Sequence, residues 1–480
     1  DAQIDEDSSN DFFSLGLNLD VDGESLPAFP ILQSAVEQLP AKVLLAQDKS
    51  LYEPTQPIYI ELEQGQFIAL EHQQVLPFVK QFIELFMPEN MNKNGTLKFS
   101  YLQSPQTLSF LDDQGLMAKG AIRTRALAEK LKDFTQVSEV PTPQGLKAEL
   151  RTYQQQGLNW LQFLREYELN GILADDMGLG KTVQTLSHLL IEKEQGRMTS
   201  PCLILAPTSV VYNWLNEINK FTPALSAVVI NGNKRQKELS QFKKYDIVIT
   251  SYALINKDLE TYLTAKFYYL VLDEAHYIKN PKTKLYTSVN QLKAEIHLCL
   301  TGTPMENNLS EFWSQFNFLS VGFLGGHKQF TKLFRTPIEK HGDHERKRLL
   351  NKRIRPFILR RTKEKIAKDL PAKTEIIQTL KLAGKQAELY ESVRLSMDTK
   401  ISQLISKKGI KRSQIEILDA LLKLRQVCNH PQLLPLNIAK KVNQSAKLDF
   451  LMDTVPELIS EGRKILIFSQ FTSMLSLIEE

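Results

Sequence analysis

The run Asp175-Asp176-Met177-Gly178-Leu179-Gly180-Lys181-Thr182 has the residue types and spacing of a phosphate cradle. Glycines let backbone N–H groups close on phosphate oxygens, and a helix N-terminus favours their negative charge. The lysine reaches the terminal phosphates of a nucleotide, and the hydroxyl after it can hold magnesium. Asp175 departs from the generic pattern, standing where a leading glycine would be. A second constellation follows the apolar run Tyr269-Leu270-Val271-Leu272, where Asp273-Glu274-Ala275-His276 puts two adjacent carboxylates at the end of a buried strand. Asp273 would coordinate the magnesium, directly or through water. Glu274 would orient or deprotonate the water that attacks a γ-phosphate. Alone, either motif could be a helix start or a solvated turn; together they describe one site for a nucleotide such as ATP with Mg²⁺.

Such a site needs a sheet to hold it. The stretch Gly171-Ile172-Leu173-Ala174 precedes the loop as a short strand, and Val183, Leu186, Leu189 and Leu190 follow at helical spacing. Further apolar strands are predicted at 202–206, 227–230, 246–250, 270–272 and 297–300, alternating with helices. That alternation means an α/β fold with a mostly parallel sheet covered on both faces. Upstream, an acidic leader rich in Asp and Ser gives way to short strands at 58–62 and 96–102 and to an amphipathic helix marked by Phe78, Phe82, Leu85 and Phe86. Residues 1–140 therefore read as an α+β accessory region, and Val140-Pro141-Thr142-Pro143-Gln144-Gly145 reads as a linker. The first lobe is expected over 146–325. Beyond Leu324 the strand pattern lapses, and a mostly helical region over 326–440 carries the stripe Leu389, Val393, Met397 and Ile401, then a second around Leu418 to Cys428. Strand character returns at Lys464-Ile465-Leu466-Ile467-Phe468-Ser469, the expected start of a second α/β lobe over 441–480.

Composition bounds the rest. The 480 residues, 42% hydrophobic and 24% charged, suit a chain of several domains with large cores. The net charge of +4 is distributed unevenly: residues 1–41 hold nine acidic side chains and no basic one, whereas 346–373 holds twelve Lys or Arg against Glu364 and Asp369. Three widely spaced cysteines, Cys202, Cys299 and Cys428, fit a reducing compartment without structural zinc, and Cys428 continues an apolar stripe with Ile417, Leu421 and Leu424. No apolar run approaches the roughly 20 residues of a membrane span, and the acidic start has the wrong sign for a signal peptide. A cytoplasmic protein with no membrane partner is expected.

Other strand ends carry small polar signatures: Pro207-Thr208-Ser209 with Asn213-Trp214, then Thr250-Ser251-Tyr252, and Leu300-Thr301-Gly302-Thr303-Pro304. Hydroxyls and exposed N–H groups there can grip nucleic-acid phosphates or serve as helix caps. The basic stretch 346–373, with Arg360 and Arg361, fits either a phosphate-binding surface or a solvated face. His341, Asp343 and His344 resemble a metal cluster only superficially.

Taken in order, these motifs closely resemble the Swi/Snf-type ATPases, double-stranded DNA translocases of the superfamily 2 helicases. The match includes Leu150-Arg151-Thr152-Tyr153-Gln154, the phosphate loop, Asp273 to Asn280, Leu300 to Asn308, Pro356 to Arg361, Cys428-Asn429-His430-Pro431 and Lys464 to Phe471. Departures are small: Thr152 for proline, Asp176 for glutamate and Met305-Glu306 for isoleucine-glutamine. The resemblance implies two RecA-like lobes with ATP between them. It implies that Gln154 reads adenine, that Asp176, Met177, Gly178, Leu179, Gly180, Lys181 and Thr182 enclose the phosphates, and that Thr301, Gly302 and Thr303 couple nucleotide state to DNA grip. Pro207, Thr208, Thr250, Ser251, Ser469, Gln470 and Phe471 would face the DNA backbone, with Arg360 and Arg361 beside them. It also implies a bacterial-type member, monomeric, working near the nucleoid, that remodels or displaces a DNA-bound protein. Because the arginines of the family's second lobe would lie past residue 480, these residues alone are expected to bind ATP but hydrolyse it poorly. The other readings are a DEAH-type strand-separating helicase and a nucleotide-gated DNA-binding scaffold.

Overall fold

The computed structural model describes residues 2–6, 12–21, 23–38, 57–62, 66–82, 91–92, 94–100, 103–132, 138–232, 235–302, 308–366 and 374–480. It divides into two compact units, Asp1–Leu370 and Pro371–Glu480.

The first unit opens with β1 (Ala2–Glu6), β2 (Phe12–Val21) and β3 (Glu24–Pro27), followed by the hairpin β4 (Ile58–Glu61) and β5 (Phe67–Leu70), then β6 (Leu97–Ser100) and β7 (Ala118–Lys119). The sheet order is β3-β2-β1-β7, with β6 also on β2, and helices Ala28–Gln38, His72–Phe82 and Ser104–Asp113 accompany it. The described parts of the acidic leader supply strands of this sheet. Ala2 and Ile4 point inward between polar residues, so strict alternation hides strand character beneath the charge count. Phe29, Phe82 and Phe99 form the aromatic centre of its core. Gln103 ties this module to the lobe that follows by donating to Phe323 O at 3.1 Å. Leu85 and Phe86 lie outside the described residues.

The lobe is built on seven strands, β8 (Gly171–Leu173), β9 (Cys202–Ala206), β10 (Ala227–Ile230), β11 (Ile247–Ser251), β12 (Lys266–Asp273), β13 (Lys293–Leu300) and β14 (Ile358–Leu359). Their order is β10-β11-β9-β12-β13-β8-β14 and every pairing is parallel. Strands buried on both faces lose polar alternation and become continuous apolar runs, as Cys202-Leu203-Ile204-Leu205-Ala206 shows. The six strands predicted here form at or near their expected limits, β12 and β13 starting four residues early. β14 escapes sequence reading because it has only two residues, enters from a 3₁₀ turn at Pro356 and follows a run of helices. Residues Phe330, Leu333, Phe334, Leu350 and Phe357 share the lobe's core. The region after 325 therefore belongs with the sheet as far as the division at Leu370. The linker is strapped down too, as Gln144 and Gly145 donate to the Glu194 carboxylate.

The second unit is helical: Gly384–Lys408, Gln414–Asn429, Ala446–Ser460 and Thr472–Glu479. Leu389, Val393 and Val427 share a small core, and buried Gln386 locks it by donating to Val427 O and accepting from Ala446 N–H. The inward stripe of the second helix is Ala420, Leu424 and Val427, so Leu421 is exposed and Cys428 only partly covered. The stripe expected from sequence is one position out of register there. Residues 464–469 form no strand: they pair with no neighbour among the described residues, and Leu466 and Phe468 stand exposed. Apolar sequence supplies strand propensity, but a ladder needs a partner for its N–H and C=O groups.

Candidate active site

Register places the site. Asp273 pairs with Leu300, Leu300 with Leu173, and Leu173 with Leu359, so one row crosses four adjacent strands at their carboxyl ends. Strand spacing puts Asp273 about 10 Å from the base of the phosphate loop. The loop after β8, the acidic pair after β12 and Thr301-Gly302 after β13 emerge side by side.

Gly178 and Gly180 adopt φ of +82° and +78°, the left-handed turn that a side chain would strain. The helix Lys181–Glu194 starts directly from Gly180. Lys181 donates to Asp175 O at 2.7 Å. Burial lowers its pKa, and the charges of Glu274, Asp175, Asp273 and Asp176 oppose that shift, so lysine and carboxylates share one neighbourhood. Gln154 abuts the loop: it accepts from Arg151 N–H at 2.9 Å and donates to Leu179 O at 3.3 Å. A Cβ on Gly302 would lie 3.2 Å from Met177 Cγ and 3.9 Å from Lys181 Nζ, which sets the Thr301-Gly302 turn against the loop. Thr301 is buried and donates its N–H to Leu173 O. Thr303 lies outside the described residues.

The acidic corner is held by donors. Asp273 Oδ2 accepts the Trp214 indole N–H at 2.8 Å, Oδ1 accepts its neighbour's N–H at 3.0 Å, and its carbonyl accepts the Tyr252 hydroxyl at 2.8 Å. Burial raises the Asp273 pKa against the Trp214 hydrogen bond. Glu274 is also raised, by burial and then by the Asp273 charge. Its φ of +51° is a strained setting for a side-chain-bearing residue, the kind found where function over-determines geometry. His276 Nδ1 lies 3.3 Å from Glu274 Oε2.

Arg361, expected at the nucleic-acid surface, is instead buried behind the phosphate loop. Its Nε donates to Asp175 Oδ1 at 2.9 Å, and Nη2 donates to Asp175 Oδ2 and, at 2.7 Å, to Gln184 Oε1. Nη1 donates to Tyr153 O, and Asp176 N–H donates to Arg361 O at 3.0 Å. β14 delivers this arginine beside β8, where the aspartate in place of the usual glycine receives it. Thr250 and Ser251 are also corrected. Both are buried, Thr250 donating its hydroxyl to Ile230 O, and they lead into Tyr252, which braces Asp273. Thr208 and Arg360 are exposed, and Pro207 is partly so. In the basic stretch Arg346 donates to Leu333 O and Arg353 packs over Phe334, while Lys347, Arg348, Lys352 and Arg355 face solvent. Ser469, Gln470 and Phe471 lie in the second unit, where Gln470 accepts from Arg425. Asp343 caps the helix His344–Ile354 by accepting Arg346 N–H, a structural duty rather than a metal site. Trp214 and Tyr252 were visible in sequence only as neighbours of polar signatures; Asp175's partner was not visible at all.

Magnesium fits the donor set: Thr182, at the start of the helix that follows the phosphate loop, and Asp273, at the end of its strand, are hard oxygen donors. Mg²⁺ is typically held by one or two protein oxygens with phosphate and water completing its shell.

Residues 153–433 match the SNF2-related domain. YwqA of Bacillus subtilis, which carries the name of an ATP-dependent helicase/translocase, is 36% identical over 426 residues, covering 85% of this chain and 45% of that protein. The human SWI/SNF-related matrix-associated actin-dependent regulator of chromatin subfamily A member 1 is 36% identical over 344 residues, covering 69% of this chain and 32% of its own length. The Sulfolobus solfataricus SWI2/SNF2 ATPase core in complex with double-stranded DNA is 38% identical, with 71% of each chain covered and a TM-score of 0.47. The chain spans less than half the length of these curated relatives.

Proposed function

Because the chain belongs to the SNF2-related family, we propose that its lobe binds ATP with Mg²⁺ and hydrolyses it to drive movement along double-stranded DNA. The observation that carries this reading is the single row Asp273, Leu300, Leu173 and Leu359, from which the loop, the acidic pair and the Thr301-Gly302 turn emerge together. Lys181 would hold phosphate oxygens, and Thr182 and Asp273 would face the cation. Bound Mg²⁺ would neutralise charge on the phosphates. Glu274, partly buried beside a second carboxylate, is suited to hold the attacking water and take its proton. Gln154 would meet the adenine, and Thr301 with Gly302 and Thr303 would relay nucleotide state.

On the DNA side, exposed Thr208, partly exposed Pro207 and exposed Arg360 support phosphate contact, with Lys347, Arg348, Lys352 and Arg355 adding positive charge. Ser469, Gln470 and Phe471 would contribute from the second unit. We infer a cytoplasmic protein that acts on a DNA-bound protein complex; the second part of that reading is supported by the relative named as a regulator of chromatin.

The test measures phosphate release by the complete protein with no nucleic acid, single-stranded DNA, duplex DNA and RNA, beside triplex displacement and forked-duplex unwinding. Stimulation by duplex with triplex displacement is expected. Unwinding without triplex displacement would instead select strand separation, and nucleotide binding without turnover would select a scaffold.

A further inference from the structure

The helix Val211–Phe221 follows β9 and carries two side chains one turn apart that meet the two groups assigned to magnesium. Trp214, 1% exposed, donates its indole N–H to Asp273 Oδ2 at 2.8 Å. Glu217, half-buried, neighbours the Thr182 hydroxyl and accepts the Asn213 side-chain amide at 2.9 Å. We propose that Trp214 and Glu217 are positioning residues, so that this one helix orients both protein oxygens, those of Asp273 and Thr182, toward the cation. The proposal rests on the nucleotide and metal reading above.

Lone-pair accounting supports it. A threonine hydroxyl has one proton and two lone pairs. A Thr182 proton directed at Glu217 would turn both lone pairs of the hydroxyl away from that helix and toward the phosphate loop. Asp273 accepts one N–H on each oxygen, from Trp214 and from the Glu274 backbone. A carboxylate held at both oxygens cannot swing, yet each oxygen keeps a lone pair for a metal or its water. Asn213, on the same helix, fixes Glu217 in turn. Without Glu217 the Thr182 proton loses that carboxylate as an acceptor. Without the indole, Asp273 loses the hydrogen bond that opposes its burial. Groups behind metal ligands typically account for about 10- to 100-fold in metal affinity.

The deciding experiment follows binding of a fluorescent ADP analogue to the full chain as Mg²⁺ is titrated, with an EDTA baseline. Trp214→Phe keeps the ring and removes the donor; Glu217→Ala removes the acceptor at a half-exposed position; Glu217→Gln keeps a carbonyl acceptor. Trp214→Phe and Glu217→Ala are each expected to raise the half-saturating Mg²⁺ about tenfold or more, with binding in EDTA unchanged and Glu217→Gln in between. Wild-type Mg²⁺ dependence in both variants would overturn the proposal. So would an equal loss of binding in EDTA, which marks a purely structural role. Should Trp214→Phe fail to fold, the two Glu217 variants decide alone. Wild-type protein whose nucleotide binding ignores Mg²⁺ would overturn the underlying metal reading instead.

Discussion

Arg361 and Asp175, 186 positions apart in sequence, form an ion pair sealed behind the phosphate loop. The guanidinium also reaches Gln184 and the Tyr153 carbonyl, so one side chain joins β14, the loop, the helix after it and the helix Thr152–Glu166. Backbone bonds run the same way: Ala174 N–H donates to Leu359 O, Asp176 N–H to Arg361 O, and Lys363 N–H to the Asp176 carboxylate. The arm that returns after the helical segment thus fixes the start of the loop, and a displacement of that arm would be felt by Lys181 through Asp175 O.

Removing the guanidinium leaves the Asp175 carboxylate buried without a cation. Arg361→Ala should destabilise the chain by about 3–5 kcal/mol in urea unfolding. Adding Asp175→Asn to that variant should recover part of the loss, since the stranded charge goes with it. Arg361→Lys should not rescue, because an ammonium cannot make the forked contacts to Asp175 and Gln184. An Arg361→Ala variant as stable as wild type would show the pair to be dispensable.

Gly157 is required by the same cluster. A Cβ there would fall 1.8 Å from Gln184 Oε1 and 2.9 Å from Arg361 Nη2. Gly157→Ala must therefore push Gln184 off both Asp175 and Arg361, at a cost of about 1–3 kcal/mol typical of overpacking. Thermal unfolding checks the stability, and nucleotide affinity should fall with it because the loop's support has moved.

The segments of the candidate nucleotide site are legible in sequence because each is contiguous: a short strand, a glycine turn and a helix, or an apolar strand and two carboxylates. The sheet was legible for the same reason, since strands buried on both faces advertise themselves as apolar runs. What could not be read were the pairings across distance. Arg361 looked like one basic residue among twelve in its stretch, and nothing local marks it as the one that β14 carries inward. Thr250 and Ser251 looked like phosphate ligands because small hydroxyl residues serve equally as contacts and as buried sheet-end anchors. The acidic leader misled because charge count conceals period-2 alternation, and Lys464–Ser469 because strand propensity does not supply a partner.

Glu274 is held in left-handed backbone with its carboxylate raised by burial and by Asp273. In the complete protein Glu274→Gln should keep Mg²⁺-nucleotide affinity and lower turnover by about 10²- to 10⁴-fold, the usual worth of a positioned base. A base acts deprotonated, so wild-type turnover should decline with acidification, starting above the pH at which an ordinary glutamate protonates. A pH–rate profile with no acid limb above the ordinary carboxylate range would remove Glu274 from that role.

Salt dependence separates exposed from buried cations. Removing a side chain that neutralises one phosphate should reduce the slope of log affinity against log salt by about 0.9 for duplex DNA. Arg360→Ala, alone or with Lys352→Ala, should flatten the slope without altering the unfolding midpoint. Arg361→Ala should do the reverse, lowering stability while leaving the slope of the folded fraction unchanged.

A polar network packed against the sheet is expected to set the acid limit of the fold through its titration. His188 Nε2 is 2.7 Å from the Tyr269 hydroxyl and Nδ1 is 2.8 Å from Gln162 Nε2, while Glu192 pairs with Arg197 and Arg165 and accepts from Gln162. Burial lowers His188 to about 4 against the pull of Glu192. Burial raises Glu192, but hydrogen bonding from Arg197, the His188 charge, and further bonds from Tyr268 and Gln162 outweigh it and bring the carboxyl down to about 2. Both folded values lie below the unfolded ones, so the unfolded chain takes up protons first. The His188 contribution is intact above about pH 6.5 and is lost as pH falls through about 4, for a total of about 3 kcal/mol. The Glu192 contribution follows between about pH 4.5 and 2. Unfolding free energy measured from pH 7.5 to 4.5 should therefore fall steadily, and His188→Gln, which has an amide to meet Tyr269 but no titration, should flatten that part of the curve. If the wild-type and His188→Gln curves run parallel between pH 6.5 and 4.5, His188 does not govern the acid limit.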